Sequence, residues 1–99
     1  VFPIPDAAGY AIDPNNGSIQ RWALGASRTP GAPSGNWANG KSVTLFISDG
    51  SAYSITWSTM GVVWKGGTAP TLATSGYSEI NITMENGVLR GVHVGDFAS

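Results

Sequence analysis

Apolar and polar residues alternate with a period of two along much of the chain, a pattern typical of half-buried β-strands. Residues 43–48 and 53–57 show it most clearly. Asp49 and Gly50 lie between these two runs, and an Asp-Gly step in this position is a strong hairpin signal. We therefore predict that the two runs pair as an antiparallel hairpin.

The apolar pattern also predicts the register of this hairpin. A two-residue turn would set aliphatic residues opposite polar ones, whereas a three-residue loop at 48–50 keeps both apolar rows on one face. The longer loop pairs Leu45 with Tyr53 and Val43 with Ile55. It also predicts a bulge at the glycine that ends the loop.

A second hairpin is predicted near the end of the chain, with Glu85-Asn86-Gly87 as a three-residue loop. This register sets Met84 opposite Val88 and places Arg90 on the apolar face, opposite Ile82. Either the true pairing differs, or Arg90 lies at a rim or a subunit contact. Shorter runs predict further strands at residues 18–24, 62–65 and 78–84.

Composition supports an all-β fold, because 14 Gly and 6 Pro among 99 residues disfavour helices. We predict a small antiparallel sandwich or partly closed barrel of about seven strands. Residues 1–16 are expected to form a linker or edge segment from an upstream region, and residues 17–99 a single β domain. The chain has no cysteine, so no disulfide supports this fold.

Charge and hydropathy narrow the classes of partner. The net charge is −1 and only 11% of residues are charged, so the chain has no basic footprint for nucleic acid. No apolar run approaches the length of a membrane span, so we expect no membrane insertion. High Gly, Ser and Thr with low charge is typical of domains whose surface is covered by neighbouring chains.

The sequence predicts no catalytic centre, metal site or cofactor. His93 is the only histidine, and no nucleophile motif accompanies it. The carboxylates that could pair for glycoside cleavage are scattered singly, and two lie in predicted turns. These carboxylates are Asp49, Glu79, Glu85 and Asp96.

Three of the four tryptophans carry specific expectations. Trp57 and Trp64 lie in strand-like runs, and we predict that both are core residues. Trp37 lies in a long polar loop, where its ring could stack on a sugar. With Asn36 and Asn39 supplying hydrogen bonds, it is the predicted binding residue.

A glycine-rich segment, Gly66-Gly67-Thr68-Ala69-Pro70, follows shortly after Trp64, and we call it the knot. Gly66 and Gly67 allow positive φ, and Pro70 fixes an extended exit from the segment. We predict that these three residues are structural, because a phosphate-binding loop would be followed by a helix and this segment is not.

Five segments resemble, in order, a module of tailed-bacteriophage virion proteins found near the ends of tail fibres and related adsorption proteins. The resemblance covers about residues 13–96 as a pattern. Its most specific part is Trp64-Lys65-Gly66-Gly67-Thr68-Ala69-Pro70. The segments are DPNNGSIQ at 13–20, WANGKSVTL at 37–45, DGSAYSITW at 49–57, WKGGTAPTL at 64–72 and LRGVHVGD at 89–96.

The resemblance implies a protein of the phage particle, commonly a homotrimer, with other virion proteins as neighbours and no catalytic residue. The function we expect is a structural and adhesive module of a tail fibre or spike that presents loops to host surface polysaccharide. One alternative is an architectural capsid-decorating or fibre-joining domain with no ligand. The other is a polysaccharide-degrading enzyme. Trp37 or Arg90 is expected at or near the seam between subunits.

Overall fold

The computed structural model describes residues 1–33, 36–48, 53–73 and 76–97, and these contain no α-helix. The all-β prediction is therefore confirmed. Within these ranges, no helix is long and apolar enough to cross a membrane. The strands are β1 (Phe2–Pro3), β2 (Ile19–Ala23), β3 (Ser42–Ser48), β4 (Val63–Trp64), β5 (Tyr77–Glu85) and β6 (Val88–Phe97), and a 3-10 turn covers Pro14–Asn16.

The six strands form one open sheet in the order β1-β2-β3-β5-β6-β4. The pairs β3–β5 and β5–β6 are antiparallel, but β1–β2, β2–β3 and β4–β6 are parallel. The sheet is therefore mixed, where a purely antiparallel arrangement was predicted. Parallel neighbours need long crossover connections, and the loop between β2 and β3 supplies one.

The first predicted hairpin is not formed. Both edges of β3 are occupied by other strands, and Leu45 pairs with Gln20 on one side and Ile80 on the other. Residues 53–57 form no strand, and their one ladder contact is an isolated bridge between Ile55 and Arg28. The predicted turn at 49–50 lies outside the described residues.

The second hairpin is present, but its loop has two residues rather than three. Asn86 and Gly87 have φ values of 51° and 81°, as a type I′ turn requires. The shorter loop changes the register, so that Arg90 lies opposite Thr83 and not on the apolar face. Arg90 is exposed there, and its Nε donates to Glu85 at 3.2 Å.

Irregular segments take the place of a second sheet in this domain. One face of the sheet is buried beneath loops that pack directly on it, which makes the two layers a core requires. The sheet supplies the buried residues Trp22, Val43, Leu45, Ile47, Trp64, Ile80, Ile82 and Leu89. The loops supply Ile4, Ile12, Leu24, Trp37, Trp57 and Met60.

The N-terminal segment, expected to be a linker or an edge, contributes to this core. β1 lies at the edge of the sheet, and Ile4 and Ile12 are buried. Gln20 is fully buried on β2, and its Nε2 donates to the carbonyls of Asp13 and Gly17 at 2.8 and 3.0 Å. These bonds hold the turn that leads into β2.

An ion pair fastens the same segment to the loop after β2. The Asp6 carboxylate accepts from Nε and Nη2 of Arg28, both at 3.0 Å. The same carboxylate accepts from the Gly25 N–H at 2.8 Å and from Trp22 Nε1 at 3.4 Å. The bidentate geometry gives the pair a fixed orientation.

This pair predicts how stability changes with acid. The hydrogen bond from Arg28 lowers the pKa of Asp6 below its ordinary value. A lowered folded-state pKa means that the stabilisation is complete above the unfolded pKa of about 3.9 and is lost as the pH falls through the folded value. Asp6→Asn and Arg28→Gln should each flatten the acid side of a plot of melting temperature against pH. Parallel curves for the wild type and both variants would contradict this.

Candidate functional site

Trp37, the predicted sugar-stacking residue, is buried. Only 5% of its surface is exposed, and its Nε1 donates to the Ile12 carbonyl at 2.8 Å. The loop that carries it folds over the core face of the sheet, so the ring has apolar neighbours and its N–H has an acceptor. The expected exposed position is therefore corrected, because this ring presents no free face to a sugar.

Asn36 and Asn39, predicted to bind beside Trp37, both remain exposed. Nδ2 of Asn36 donates to an Asp13 carboxylate oxygen at 2.9 Å. Oδ1 of Asn39 accepts from the Gly87 N–H at 2.8 Å. These bonds tie the loop to two other parts of the domain, and a ligand contact by either amide stays a prediction.

Trp57 and Trp64 are core residues, as predicted. Both are buried, and their rings meet edge to face with centroids 5.2 Å apart. Trp64 also lies against Gly91 of β6, where a Cβ atom would come within 2.6 Å of the indole Cε3 atom. The absence of a side chain at Gly91 therefore provides the seat for the Trp64 ring.

The knot after Trp64 has the backbone that its glycines predict. Gly66 and Gly67 have φ values of 85° and 82°, and the Gly67 N–H donates to the Trp64 carbonyl at 2.8 Å. The Lys65 N–H donates to the Gly91 carbonyl at 2.9 Å. The knot thus ends β4 at its contact with β6. Pro70, the last residue of the knot, is half-buried.

Gly67→Val should lower the free energy of unfolding by about 1–2 kcal/mol, because an L-residue is strained in the left-handed region and branching adds to the strain. Space is not the cause, since a Cβ at Gly67 would have no neighbour within 4 Å. Thr68→Val, at the exposed next position, is the matched control. Chemical denaturation measures both variants, and equal losses would contradict the role given to the Gly67 backbone.

Ser78, Asp96 and His93 lie together near the end of the β5–β6 ladder. His93 Nε2 is 2.8 Å from an Asp96 carboxylate oxygen. The hydrogen bond from His93 lowers the pKa of Asp96, and the hydrogen bond from Ser78 lowers it by a smaller amount. The Ser78 hydroxyl is buried and accepts from the Ala73 N–H at 2.6 Å. In a hydrolytic triad the histidine is hydrogen-bonded to the nucleophile. Here the aspartate lies between the serine and the histidine, so the order does not match a triad. The role that the contacts show is structural, because Ser78 fastens residue 73 to the sheet.

The remaining carboxylates named from the sequence do not converge. Glu85 pairs with Arg90 at the turn, while Glu79 is the third residue of β5. Asp49 falls outside the described residues. Among the residues that are described, no three acidic, histidine or cysteine side chains are grouped to hold a metal ion.

The side of the sheet opposite the core, which we call the outer face, is not covered by the loops that bury the core. Its side chains follow the ladder registers as cross-strand rows. The central row runs from Arg21 on β2 through Phe46 on β3 to Glu79 on β5. The row beside it contains Tyr77 and Phe97 on β5 and β6.

The outer face carries several apolar side chains among polar ones such as Thr44, Asn81 and Thr83. Ile19 is 42% exposed and Phe97 is 52% exposed, and the Phe46 and Phe97 rings lie 6.2 Å apart. The Arg21 guanidinium lies 4.8 Å from the centre of the Tyr77 ring and donates to its hydroxyl. A depression of about 400 Å³ on this face is lined by Val1, Ile19, Arg21, Phe46 and Tyr77.

Sequence reasoning did not single out this surface, although a signal for it exists. Ile19 and Phe46 fall at outward positions of alternating strands, where polar residues are the rule. Large apolar residues at such positions on neighbouring strands mark a face that is covered by something.

No protein family, curated protein or solved structure matches the chain.

Proposed function

We propose that the chain is a non-enzymatic structural and adhesive module of a tailed-phage particle, part of a tail fibre or spike. It packs with copies of itself as a homotrimer and presents loops to the host surface. The sequence resemblance supports this proposal, above all the segment from Trp64 to Pro70. The contacts of that segment with β6 give its glycines and tryptophan a structural purpose.

The observation that carries the proposal is the group of apolar side chains on the outer face. Monomeric proteins rarely leave a contiguous apolar patch open to water unless a partner covers it. Here the face contains Ile19, Phe46 and Phe97, on a sheet whose opposite side is buried by the chain itself. A module that stands among copies of itself and other virion proteins has partners for such a face.

The charged side chains support a structural role over an enzymatic one. Asp6 holds Arg28, Glu85 holds Arg90 and Asp96 holds His93. In the part of the chain that the structure describes, each of these carboxylates lies within 3.2 Å of its own basic partner. A glycoside-cleaving site would need two carboxyl groups facing each other across a substrate.

The adhesive part of the proposal rests on the loops at the sheet ends. Asn36 and Asn39 are exposed, and each is held by a hydrogen bond to another segment. A loop held in place loses little conformational entropy when a ligand binds. Exposed amides on such a loop are suited to hydrogen bonding with the hydroxyl groups of host polysaccharide.

The test is a binding assay with the purified chain coupled to beads, so that many copies are displayed whatever their assembly in solution. We expect the beads to retain one or more bacterial strains from a panel and to bind the purified surface polysaccharide of the same strain. Asn36→Ala should weaken this binding, while Lys41→Ala, also exposed, should not. Beads that retain no strain and no polysaccharide would overturn the adhesive role and favour the purely architectural alternative.

A further inference from the structure

We propose that the outer face is the seam between copies of this chain, with Phe46 at its centre and Arg21 of one copy facing Glu79 of the next. The number of copies, three, rests on the proposed function. The surface and its charge pairing rest on the structure alone.

The sheet topology fixes the order of the residues in the central row. Arg21, Phe46 and Glu79 lie directly across from one another on β2, β3 and β5. Neighbouring strands are about 4.8 Å apart, so the backbone positions of Arg21 and Glu79 flank that of Phe46 at equal spacing. The row therefore has an aromatic residue in the middle, a basic residue on one side and an acidic residue on the other.

Neither Arg21 nor Glu79 forms an ion pair within the described part of its own chain. The acidic members of the ion pairs in the described part of the chain are Asp6, Glu85 and Asp96. Their basic partners are Arg28, Arg90 and His93. Arg21 lies over Tyr77 and donates to its hydroxyl, which leaves most of its five N–H groups for another acceptor. Contact with Tyr77 also holds the guanidinium in place before a partner arrives.

When copies of a sheet are related by a rotation axis parallel to their strands, the β2 side of one face meets the β5 side of the next. Arg21 then meets Glu79 of a neighbouring copy at every seam, and the Phe46 rings approach the axis together. Because the row is complementary to itself in this way, a second copy of the chain fits the face better than an uncharged apolar partner.

The apolar surroundings make these charge pairs effective. Phe97 lies 6.2 Å from Phe46 between ring centres, and Ile19 is on the next row of the same face. Packing these side chains between copies removes water from the row and strengthens the attraction of the paired charges. Apolar contact supplies the affinity, and the charge order sets which orientation of the copies is accepted.

The test is sedimentation equilibrium of the full chain, comparing the wild type with Arg21→Glu, Glu79→Arg and the double variant. We expect the wild type to form trimers and each single reversal to weaken assembly roughly tenfold or more, because it creates like charges at every seam. The double variant, which has the net charge of the wild type, should restore assembly. Lys41→Glu is the matched control for Arg21→Glu, since it makes the same charge change at an exposed residue outside the row.

Each outcome decides the proposal. Weakening by both single variants with recovery in the double variant supports it. Assembly that no variant alters would overturn the outer-face seam and leave the proposed trimer standing. A wild type that stays monomeric at every concentration would overturn the seam, while the bead assay would still report on adhesion. Tryptophan fluorescence checks the fold, and Arg21→Gln with Glu79→Gln gives a milder set should a reversal unfold the chain.

Discussion

Trp22→Ala is expected to lower the free energy of unfolding by about 3–5 kcal/mol, the range for large aromatic residues truncated in a core. Trp22 is only 1% exposed and is among the largest fully buried side chains. Its removal leaves a cavity in the middle of β2. Its Nε1 also donates to Asp6, so the N-terminal segment loses a contact.

Chemical denaturation of dilute protein measures this loss without a contribution from assembly. Ile19→Ala is the matched control, because Ile19 lies on the same strand with its side chain on the outer face. In the monomer that change should lower the free energy of unfolding by less than about 1 kcal/mol. Similar losses for Trp22 and Ile19 would show that the assignment of the two faces of β2 is wrong.

Gly91→Val is the second substitution with a large expected effect. A Cβ at Gly91 would lie 2.6 Å from two carbon atoms of the Trp64 ring and from a Val62 methyl group. An indole cannot bend away, so the ring must leave its seat or β4 must separate from β6. We expect a loss of about 3 kcal/mol, at the upper end for overpacked cores.

Gly95→Val, on the same strand, separates this clash from the general effect of replacing a strand glycine. A Cβ at Gly95 would meet no atom within 4 Å, so its effect should stay within about 0.5 kcal/mol. The fluorescence of Trp64 should also shift to the red in the Gly91 variant, as the ring becomes exposed to water. A Gly91 variant as stable as the Gly95 variant would contradict the close packing of Trp64.

Alternation along the strands predicts which face each residue occupies, but not which strand lies next to it. Residues 43–48 and 78–84 are both recognisable as strands from this pattern, and their inward faces are as predicted. The predicted partner of β3 is wrong, because Tyr53 and Ile55 alternate as a strand would while lying in a loop with one bridge. Pairing depends on contacts between distant segments, which period-two alternation does not encode.

In turns and loops, the local residue type predicts the backbone conformation but not the contacts with distant segments. The left-handed glycines of the knot are predictable because only glycine takes that backbone cheaply. The two-residue turn differs from the predicted loop because Asn86 also adopts positive φ, which asparagine tolerates better than most residues. The burial of Trp37 depends on the Ile12 carbonyl, an acceptor far away in the chain, and no local pattern announces it.

The order of charged residues on the outer face could have been predicted only with the strand order in hand. Phe46 alternates with buried neighbours along β3, but its row with Arg21 and Glu79 exists because β2 and β5 both pair with β3. Those pairings join segments far apart in sequence. The charge order of the row is therefore a property of the topology.

The mixed sheet also sets the order in which the chain folds. β5 and β6 are joined by two residues and can pair within about 1–10 μs, whereas Phe2 must find Gln20, and Gln20 must find Leu45, across long loops. The terminal hairpin is thus the natural nucleus, and the parallel strands β1 and β2 join it late. Substitutions in the Asn86-Gly87 turn should slow refolding, and substitutions in β1 should act by speeding unfolding.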